Sequence, residues 1–356
     1  MSADPAWWEE TDPAAWDAFV QVADYRSFPQ LWAWGELRRP HGWRPLRIGV
    51  GPRDAPTAGA QLLVRRAPLL GLRLGYVPRG PVGRMDEPAV RDTLLAALRA
   101  VAAREGIATL KVDPEAVAAS PYGAALLAAP WRAASPVQPR RTRVLDLAGS
   151  ESDLLAALHH KHRQYVHKAE RAGVTVEWID GTSDPAHARQ ELTDFARIYA
   201  HTALRAGFVA RAPAYYERVW ELFAPAGHAS LAFATLDGER QATLLHFTCG
   251  DRAAEAYGGM TDSGAASRAN YLLKWEAIRH FRGAGFAVYD LWGLATGGIA
   301  RFKEGFGGRE LAYVGARDLA LRPVADAALR IIQPAYGIAQ RARLRLSGRR
   351  LAGTEP

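Results

Sequence analysis

The sequence predicts an α/β (α+β) protein of two successive units, each a mixed sheet flanked by helices. Three observations carry this. Short apolar runs of strand type alternate with amphipathic stretches of helical spacing along the chain. A pattern of strand, strand, helix, strand, with a tyrosine before the helix and an aspartate after it, occurs in both halves, at Tyr76 and Asp113 and again at Tyr257 and Asp290. A length of 356 residues with 49% hydrophobic and 10% aromatic side chains fills two cores of ordinary size. The expected division is residues 1–148 with 309–356 as one unit and 149–308 as the other.

In order, the acidic, polar start leads to a short helix holding Trp32, Gly35 and Glu36, then a first strand from Trp43 to Val50. Gly59–Arg66 and Leu69–Val77 follow as strands, the second stopped by the glycine and prolines of GYVPRGPV, with Tyr76 and Arg79 at its mouth. Pro88–Arg104 is a helix with Leu94, Leu95, Leu98 and Val101 on one face, and Gly106–Val112 a strand ended by Asp113-Pro114. Between the units, Ser152 or Asp153 caps one helix whose apolar positions are Leu155, Leu158, Tyr165 and Val166, leaving Lys161, Arg163 and Lys168 for other faces. A helix from Leu192 to Arg205 runs into Gly207-Phe208, Arg211 and the pair Tyr215-Tyr216 that opens the next helix. Strands joined by the tight turn Asp237-Gly238 follow, then a strand from Phe247 to Tyr257, a helix from Tyr271 to Phe281 and a strand from Phe286 to Leu291. No long heptad insertion interrupts the second half, so no coiled-coil arm is expected.

Composition narrows the classes. Lysine and arginine exceed aspartate and glutamate by eight, an excess that suits an anionic partner such as nucleic acid, a phosphorylated substrate or anionic lipid. The single cysteine, Cys249, excludes an internal disulfide and a cysteine-based zinc cluster. His159 and His162 share a helix face without a cysteine or carboxylate beside them, so a basic helix against RNA phosphates is preferred to a metal site. With no signal peptide and no run of eighteen apolar residues, the chain is expected to be cytoplasmic; it is also expected to be a monomer. Its basic C-terminal RARLRLSGRRLAG would supply any peripheral contact with the membrane.

The stretch GLATGGIARFKEGFGG, 293–308, has glycine at six of sixteen positions, which reads as a loop whose backbone approaches a ligand. It delivers Lys303 between Phe302 and Phe306, an apolar setting in which its charge is poorly screened. A helix on a mixed sheet in this strand order is what GNAT-type acyltransferases use. Those taking acyl-CoA hold its pyrophosphate on an Arg/Gln-x-x-Gly-x-Gly/Ala loop at a helix start. Arg282–Ala287 matches that string but stands at a helix end, where carbonyls are exposed. The match therefore reads as accidental, favouring a donor other than CoA.

The runs NYLLKWEAI, YDLWG and RFKEGFGG resemble, in order and spacing, the C-terminal signature of the FemABX family, the aminoacyl-tRNA-dependent transferases that build peptidoglycan cross-bridges. The tryptophan, glycine and basic residues before the GW strand, AERAGV at 169–174, and the Arg211/Tyr215 segment are similar too, and the absent arm matches the shorter FemX-like subgroup. The resemblance implies transfer of Gly, Ala or Ser from aminoacyl-tRNA, with no cofactor, to the side-chain amine of the stem-peptide diamino acid on lipid II or UDP-MurNAc-pentapeptide. It implies Lys303 and Asp113 as catalytic groups, Lys303 facing the tetrahedral intermediate or the tRNA end and Asp113 taking or orienting the amine proton. Arg38 and Arg211 would hold the acceptor's diphosphate, with Tyr76, Tyr215, Tyr257, Phe302 and Phe306 around the substrates. Lys161, Arg163 and Lys168 would meet RNA. Such a donor ester is already activated, which fits a chain with no G-x-S-x-G elbow. An N-acyltransferase using acyl-CoA or acyl-carrier protein on another amine, and a non-catalytic protein binding RNA or a lipid surface, stay open as alternatives.

Overall fold

The computed structural model describes residues 7–67, 71–181, 185–294 and 297–330. The basic C-terminal stretch expected to meet a membrane lies outside them. Among the described residues the chain divides into two compact units, 7–140 with 312–330, and 141–311. The boundary falls earlier than the expected 148 because Arg141–Asp146 joins the second sheet, antiparallel to Val288–Asp290.

In the first unit the sheet runs, in spatial order, Trp7–Glu9, Arg44–Val50, Ala58–Arg66, Arg73–Pro78, Ile107–Asp113, Arg317–Ala320 and Arg132–Ala133. Arg73–Pro78 and Ile107–Asp113 pair in parallel, with Pro78 opposite Asp113, while their outer neighbours are antiparallel. The helix Pro88–Glu105 bridges the parallel strands. Proline occupies its first turn, where no amide donor is needed, and Gly106 ends it at φ 67°, a left-handed conformation glycine adopts without steric cost. Its Leu94, Leu98 and Val101 pack on Ile48, Leu62 and Leu110, all buried.

The second sheet runs Arg309–Ala312, Arg141–Asp146, Val288–Asp290, Arg252–Met260, Glu239–Cys249, Ala229–Leu236 and Thr175–Asp180. Here too the central pair, Arg252–Met260 with Val288–Asp290, is parallel and is bridged by a helix, Ala269–Gly283. The expected strand Phe247–Tyr257 is in fact two strands. Gly250, at φ 59°, and Asp251 make a turn that sets Cys249 opposite Arg252. The predicted turn Asp237-Gly238 is present, with both residues at positive φ (53° and 80°), as a two-residue hairpin requires.

The single helix expected after residue 150 is also two, Glu151–Ala157 and His160–Arg171. The cap of the first is Ser150, in a reciprocal box with Asp153. The break follows Leu158, which is buried, and His159 then caps the second helix by accepting from Lys161 N–H. Among the described residues no helix exceeds the 22 residues of Pro185–Ala206, so no long arm leaves the unit, and none is long and apolar enough to cross a membrane.

A polar chain runs through the second core. Lys274, on the bridging helix, donates to both oxygens of Glu255, and Tyr289 donates to Glu255 Oε2 at 3.0 Å. His246 Nε2 meets the Tyr289 hydroxyl at 2.9 Å. All four residues are at most 5% exposed. Burial holds His246 well below the usual imidazole range and Tyr289 well above the usual phenol range. The ring is therefore neutral with its proton on Nε2, and the phenol keeps the proton it gives to Glu255. Removing one member of a buried ion pair strands the other charge at a cost of about 3–5 kcal/mol. Lys274→Met should lower stability by about that much in urea unfolding. The double variant Lys274→Met/Glu255→Leu should lose less than Lys274→Met alone; a larger, additive loss would mean that the pair is not coupled.

Candidate functional site

In each unit polar side chains gather where the parallel strands end, the usual place for ligands on an open α/β sheet. In the second unit the two strands stay paired only as far as Ala254 and Asp290. Beyond that point one continues to Tyr257, while the other turns away as Leu291 N–H and Leu294 N–H donate to Arg143 O and Arg141 O. Asp290, fully buried, pins the turn by accepting from Thr142 Oγ1, from Arg252 and, at 2.8 Å, from Trp292 N–H. Trp292 takes a left-handed conformation at φ 42°. A bulky residue held there stores strain of the kind found at functional sites.

Lys303 completes this turn. It lies in the last turn of a short helix, Gly298–Glu304, where a loop was expected. Its ammonium donates to the carbonyl oxygens of Leu291 (2.6 Å), Trp292 and Gly293 (2.9 Å). A lysine ammonium has three donors, and all three are used. Burial lowers its pKa to about 8, opposed by the charges of Glu255 and Asp290 and reinforced by Lys274. Lys303 thus braces the backbone that leaves the strand. Phe306 is fully buried, and Phe302 and Phe306 pack on His162 and Tyr271. Both rings lie over the Lys274 ammonium at 5.3 and 5.6 Å, which fixes them in the core rather than around a substrate. The glycines serve the same packing. A Cβ on Gly305 would stand 2.1 Å from the His162 ring, and one on Gly308 would stand 2.3 Å from Val144 O.

Along the other branch, Tyr257 and Tyr215 bring their hydroxyls to 3.3 Å. The Arg211 guanidinium lies 4.7 Å from the Tyr215 ring, and Arg211 N–H donates to the Tyr216 hydroxyl at 3.3 Å. Burial pushes the Tyr257 phenol well above its usual range. This half-buried aromatic cluster brings Arg211 and Tyr215, expected as substrate contacts from one stretch, together with Tyr257, expected as a substrate contact from another. Of the expected RNA contacts, Lys161 and Lys168 are exposed on His160–Arg171. Arg163 is instead turned back to the carbonyls of Ala156 (2.8 Å) and Leu158, closing the helix break. The CoA-like string at 282–287 has no free amides to offer, since Ala284, Gly285 and Phe286 N–H donate to His280, Arg282 and Phe281. His162 is likewise committed, its Nε2 meeting Phe302 O at 2.9 Å. Among the described residues no three His, Cys, Asp or Glu side chains are placed to hold a metal.

In the first unit, Asp113 Oδ2 accepts from Tyr76 Oη (3.3 Å) and Gln138 N–H (3.1 Å), and Arg79 lies 3.6 Å from Oδ1. Asp113 and Arg79 are each 1% exposed. Burial raises Asp113 to about 6 against the pull of Arg79. Arg38 is buried beside Trp34, at 5.9 Å, whereas the following Arg39 is exposed and paired with Glu36. The sequence reading missed Arg65, on Ala58–Arg66. Its guanidinium sits 4.6 Å from the Trp43 ring, which in turn lies 6.3 Å from Tyr76. Burial and the like charge of Arg38 both lower the Arg65 pKa. Two arginines repelling each other beside an aromatic wall make a site suited to an anion.

A helix-bridged parallel pair in a mixed sheet, used twice, defines a tandem GNAT-like fold. A solved structure of FemX has a similar fold, with a TM-score of 0.81 at 20% identity, covering 90% of this chain and 99% of that one. The FemAB family model matches residues 11–124 and 120–246, and the chain belongs to that family. It is 29% identical over 233 residues to the lipid II:glycine glycyltransferase of Staphylococcus saprophyticus, covering 63% of this chain and 54% of that protein. The Staphylococcus aureus protein of the same name matches at 29% over 232 residues, 62% of this chain and 53% of its own. The chain spans about half the length of these curated relatives.

The raised Asp113 pKa makes a stability prediction. The folded state holds this proton more tightly than the unfolded chain, so the group's stabilising contribution is full below about pH 4 and is lost as pH rises through about 6. Between those limits the stability of wild type relative to Asp113→Asn should fall by about 2–3 kcal/mol. Urea midpoints at pH 4, 5, 6 and 7 read this difference, and a pH-independent gap would refute the assignment.

Proposed function

We propose that the chain is an aminoacyltransferase. On this reading it transfers glycine, alanine or serine from aminoacyl-tRNA to the side-chain amine of the diamino acid in a peptidoglycan stem peptide, carried on lipid II or on UDP-MurNAc-pentapeptide. The observation that carries the reading is membership of a family whose curated relatives bear the name lipid II:glycine glycyltransferase. Two local features support it. The chain's positive balance and the exposed Lys161 and Lys168 suit an RNA donor. The absence of free amides at 284–286 removes the one sequence match to a CoA-binding loop.

In chemical terms the amine attacks the ester carbonyl of the aminoacyl-tRNA, a tetrahedral oxyanion forms, and the ribose hydroxyl leaves as a proton passes from the amine to it. The protein's task is to orient the two substrates and stabilise the oxyanion. In the proposal Lys303 contributes to this as a charged brace. It keeps the Leu291–Gly293 backbone in one conformation, and its field falls on the developing negative charge. Arg211, Tyr215 and Tyr257 form a second recognition cluster for a phosphate or carboxylate. In the first unit, Arg38 and Arg65 bind the acceptor's phosphates, and Asp113 orients the Tyr76 hydroxyl beside them.

The deciding experiment is transfer of radiolabelled glycine, alanine and serine from charged tRNA to both acceptors, with and without RNase. RNase-sensitive incorporation is expected, and its absence with every donor and acceptor would sink the reading. Lys303→Ala should reduce kcat by about 100-fold or more, comparable to losing an oxyanion-stabilising group. Because the lysine is charged below its pKa, wild-type kcat should decline as pH rises through about 8. An alkaline limb retained in Lys303→Ala would assign that titration elsewhere. Arg65→Gln should raise KM for the phosphorylated acceptor about tenfold with kcat nearly unchanged, the signature of lost ground-state binding. An equal fall in kcat would contradict that role.

A further inference from the structure

The end of the helix Pro185–Ala206 and the loop after it carry an apolar surface that the transfer chemistry does not use. Residues 204–209 are all exposed, and three of them are large apolar side chains, Leu204 at 73%, Val209 at 50% and Phe208 at 38%. The segment 201–216, HTALRAGFVARAPAYY, contains His201, Arg205 and Arg211 and no acidic residue. The carboxylate facing it from another element is Asp262, which lies 3.5 Å from both Arg205 and His201 and is itself exposed.

We propose that this helix end docks on the surface of an anionic phospholipid bilayer, with Leu204 and Val209 entering the acyl boundary and Arg205 staying at the headgroups. The combination is what interfacial binding needs: aliphatic tips that gain by leaving water, and beside them in the chain an exposed arginine, Arg205, whose length lets its guanidinium reach headgroup phosphates. Nucleic acid fits it less well. Single-stranded bases stack on π-faces, but the tips are aliphatic, and the one ring, Phe208, packs on Tyr199 at 5.6 Å. A second copy of the chain fits less well again, since a stable interface takes roughly 20–30 residues a side and only six contiguous residues are offered here. Docking of this kind would hold the aromatic cluster that follows, with Arg211 and Tyr215, close to headgroup level. It deepens the lipid-linked form of the function proposed above and rests on that reading only for the acceptor.

The test is vesicle flotation of the full chain with phosphatidylglycerol–phosphatidylcholine vesicles and with pure phosphatidylcholine, in 50 and 300 mM salt. Wild type should partition onto the anionic vesicles. Leu204→Glu/Val209→Glu should weaken that partitioning about tenfold or more, and Arg205→Gln should weaken it and blunt its salt dependence. Both positions are exposed, so thermal unfolding should be unchanged; should the Glu pair fail to fold, Leu204→Ser/Val209→Ser gives the same readout. Failure of wild type to bind anionic vesicles, or undiminished binding by the variants, overturns the proposal. So does a change in tRNA retention or in the mass measured by light scattering without a change in flotation, since that assigns the patch to RNA or to a second copy. Transfer to the water-soluble UDP-linked acceptor should be equal in wild type and the Leu204/Val209 variant. If wild type itself transfers to no acceptor, the catalytic reading fails while flotation still decides the docking.

Discussion

In the second unit the Glu255 carboxylate accepts from Lys274 and Tyr289 together, and the site around it depends on that pairing. Glu255 sits one residue beyond Ala254, where the parallel strands cease to pair. The carboxylate therefore ties the bridging helix, through Lys274, to both central strands just before they part. Its charge also favours the protonated form of Lys303, partly offsetting the burial and the Lys274 charge that lower that pKa. A protonated Lys303 can then donate to three carbonyls of the departing backbone. Ion pair, strand divergence and brace form one chain of cause. Phe302 and Phe306 close it from above by screening Lys274 from water.

The first unit solves the same geometric problem with other groups. Its parallel strands stay paired to Pro78 and Asp113, so the polar groups meet at the strand ends without a wide divergence. Arg79 stands in the left-handed region at φ 50°, which turns the chain while keeping its guanidinium beside Asp113 and Glu115. Glu115 is shared further, accepting from Ser27 and Tyr313 at 2.7 and 3.1 Å. Strand–helix–strand order is thus common to the halves, but the tyrosine–aspartate relation is not. Tyr76 donates to Asp113, whereas Tyr257 meets Tyr215 and Asp290 meets Arg252 and Thr142.

Much of this architecture was legible in the chain because its signals are local. Proline in the first turn and Gly106 after the last delimit Pro88–Glu105, and the apolar spacing of Leu272, Trp275, Ile278 and Phe281 marks the bridging helix. What escaped was written in distant residues. No glycine or proline announces the break at Leu158. It is held by the His159 side chain and by Gly305 O, which accepts His159 N–H at 2.8 Å from a segment far along the sequence. Glycine enrichment around Lys303 reads as a ligand-approach loop, yet Gly305 and Gly308 are needed for contact with His162 and Val144. Arg65 looks like any strand-end arginine until folding sets it beside Trp43 and Arg38.

For the proposed transfer, the inward-facing Lys303 bears on how the reaction would proceed without a covalent nucleophile. An ammonium open to solvent would be strongly hydrated, and water would have to reorganise as negative charge developed nearby. One already satisfied by three fixed carbonyls needs no such reorganisation, because the charge and the dipoles that hold it are set by folding. The strained Trp292, held between Asp290 on its amide and Lys303 on its carbonyl, is the backbone feature that both charges fix. Loss of the lysine would therefore act in two ways. It would remove a field, and it would free a strained segment to relax toward a conformation in which the carbonyls point elsewhere. Separating the two requires a replacement that keeps the charge but not the three-donor geometry. Arginine at 303 is such a replacement: its planar fork cannot reproduce the three-carbonyl clasp of the ammonium.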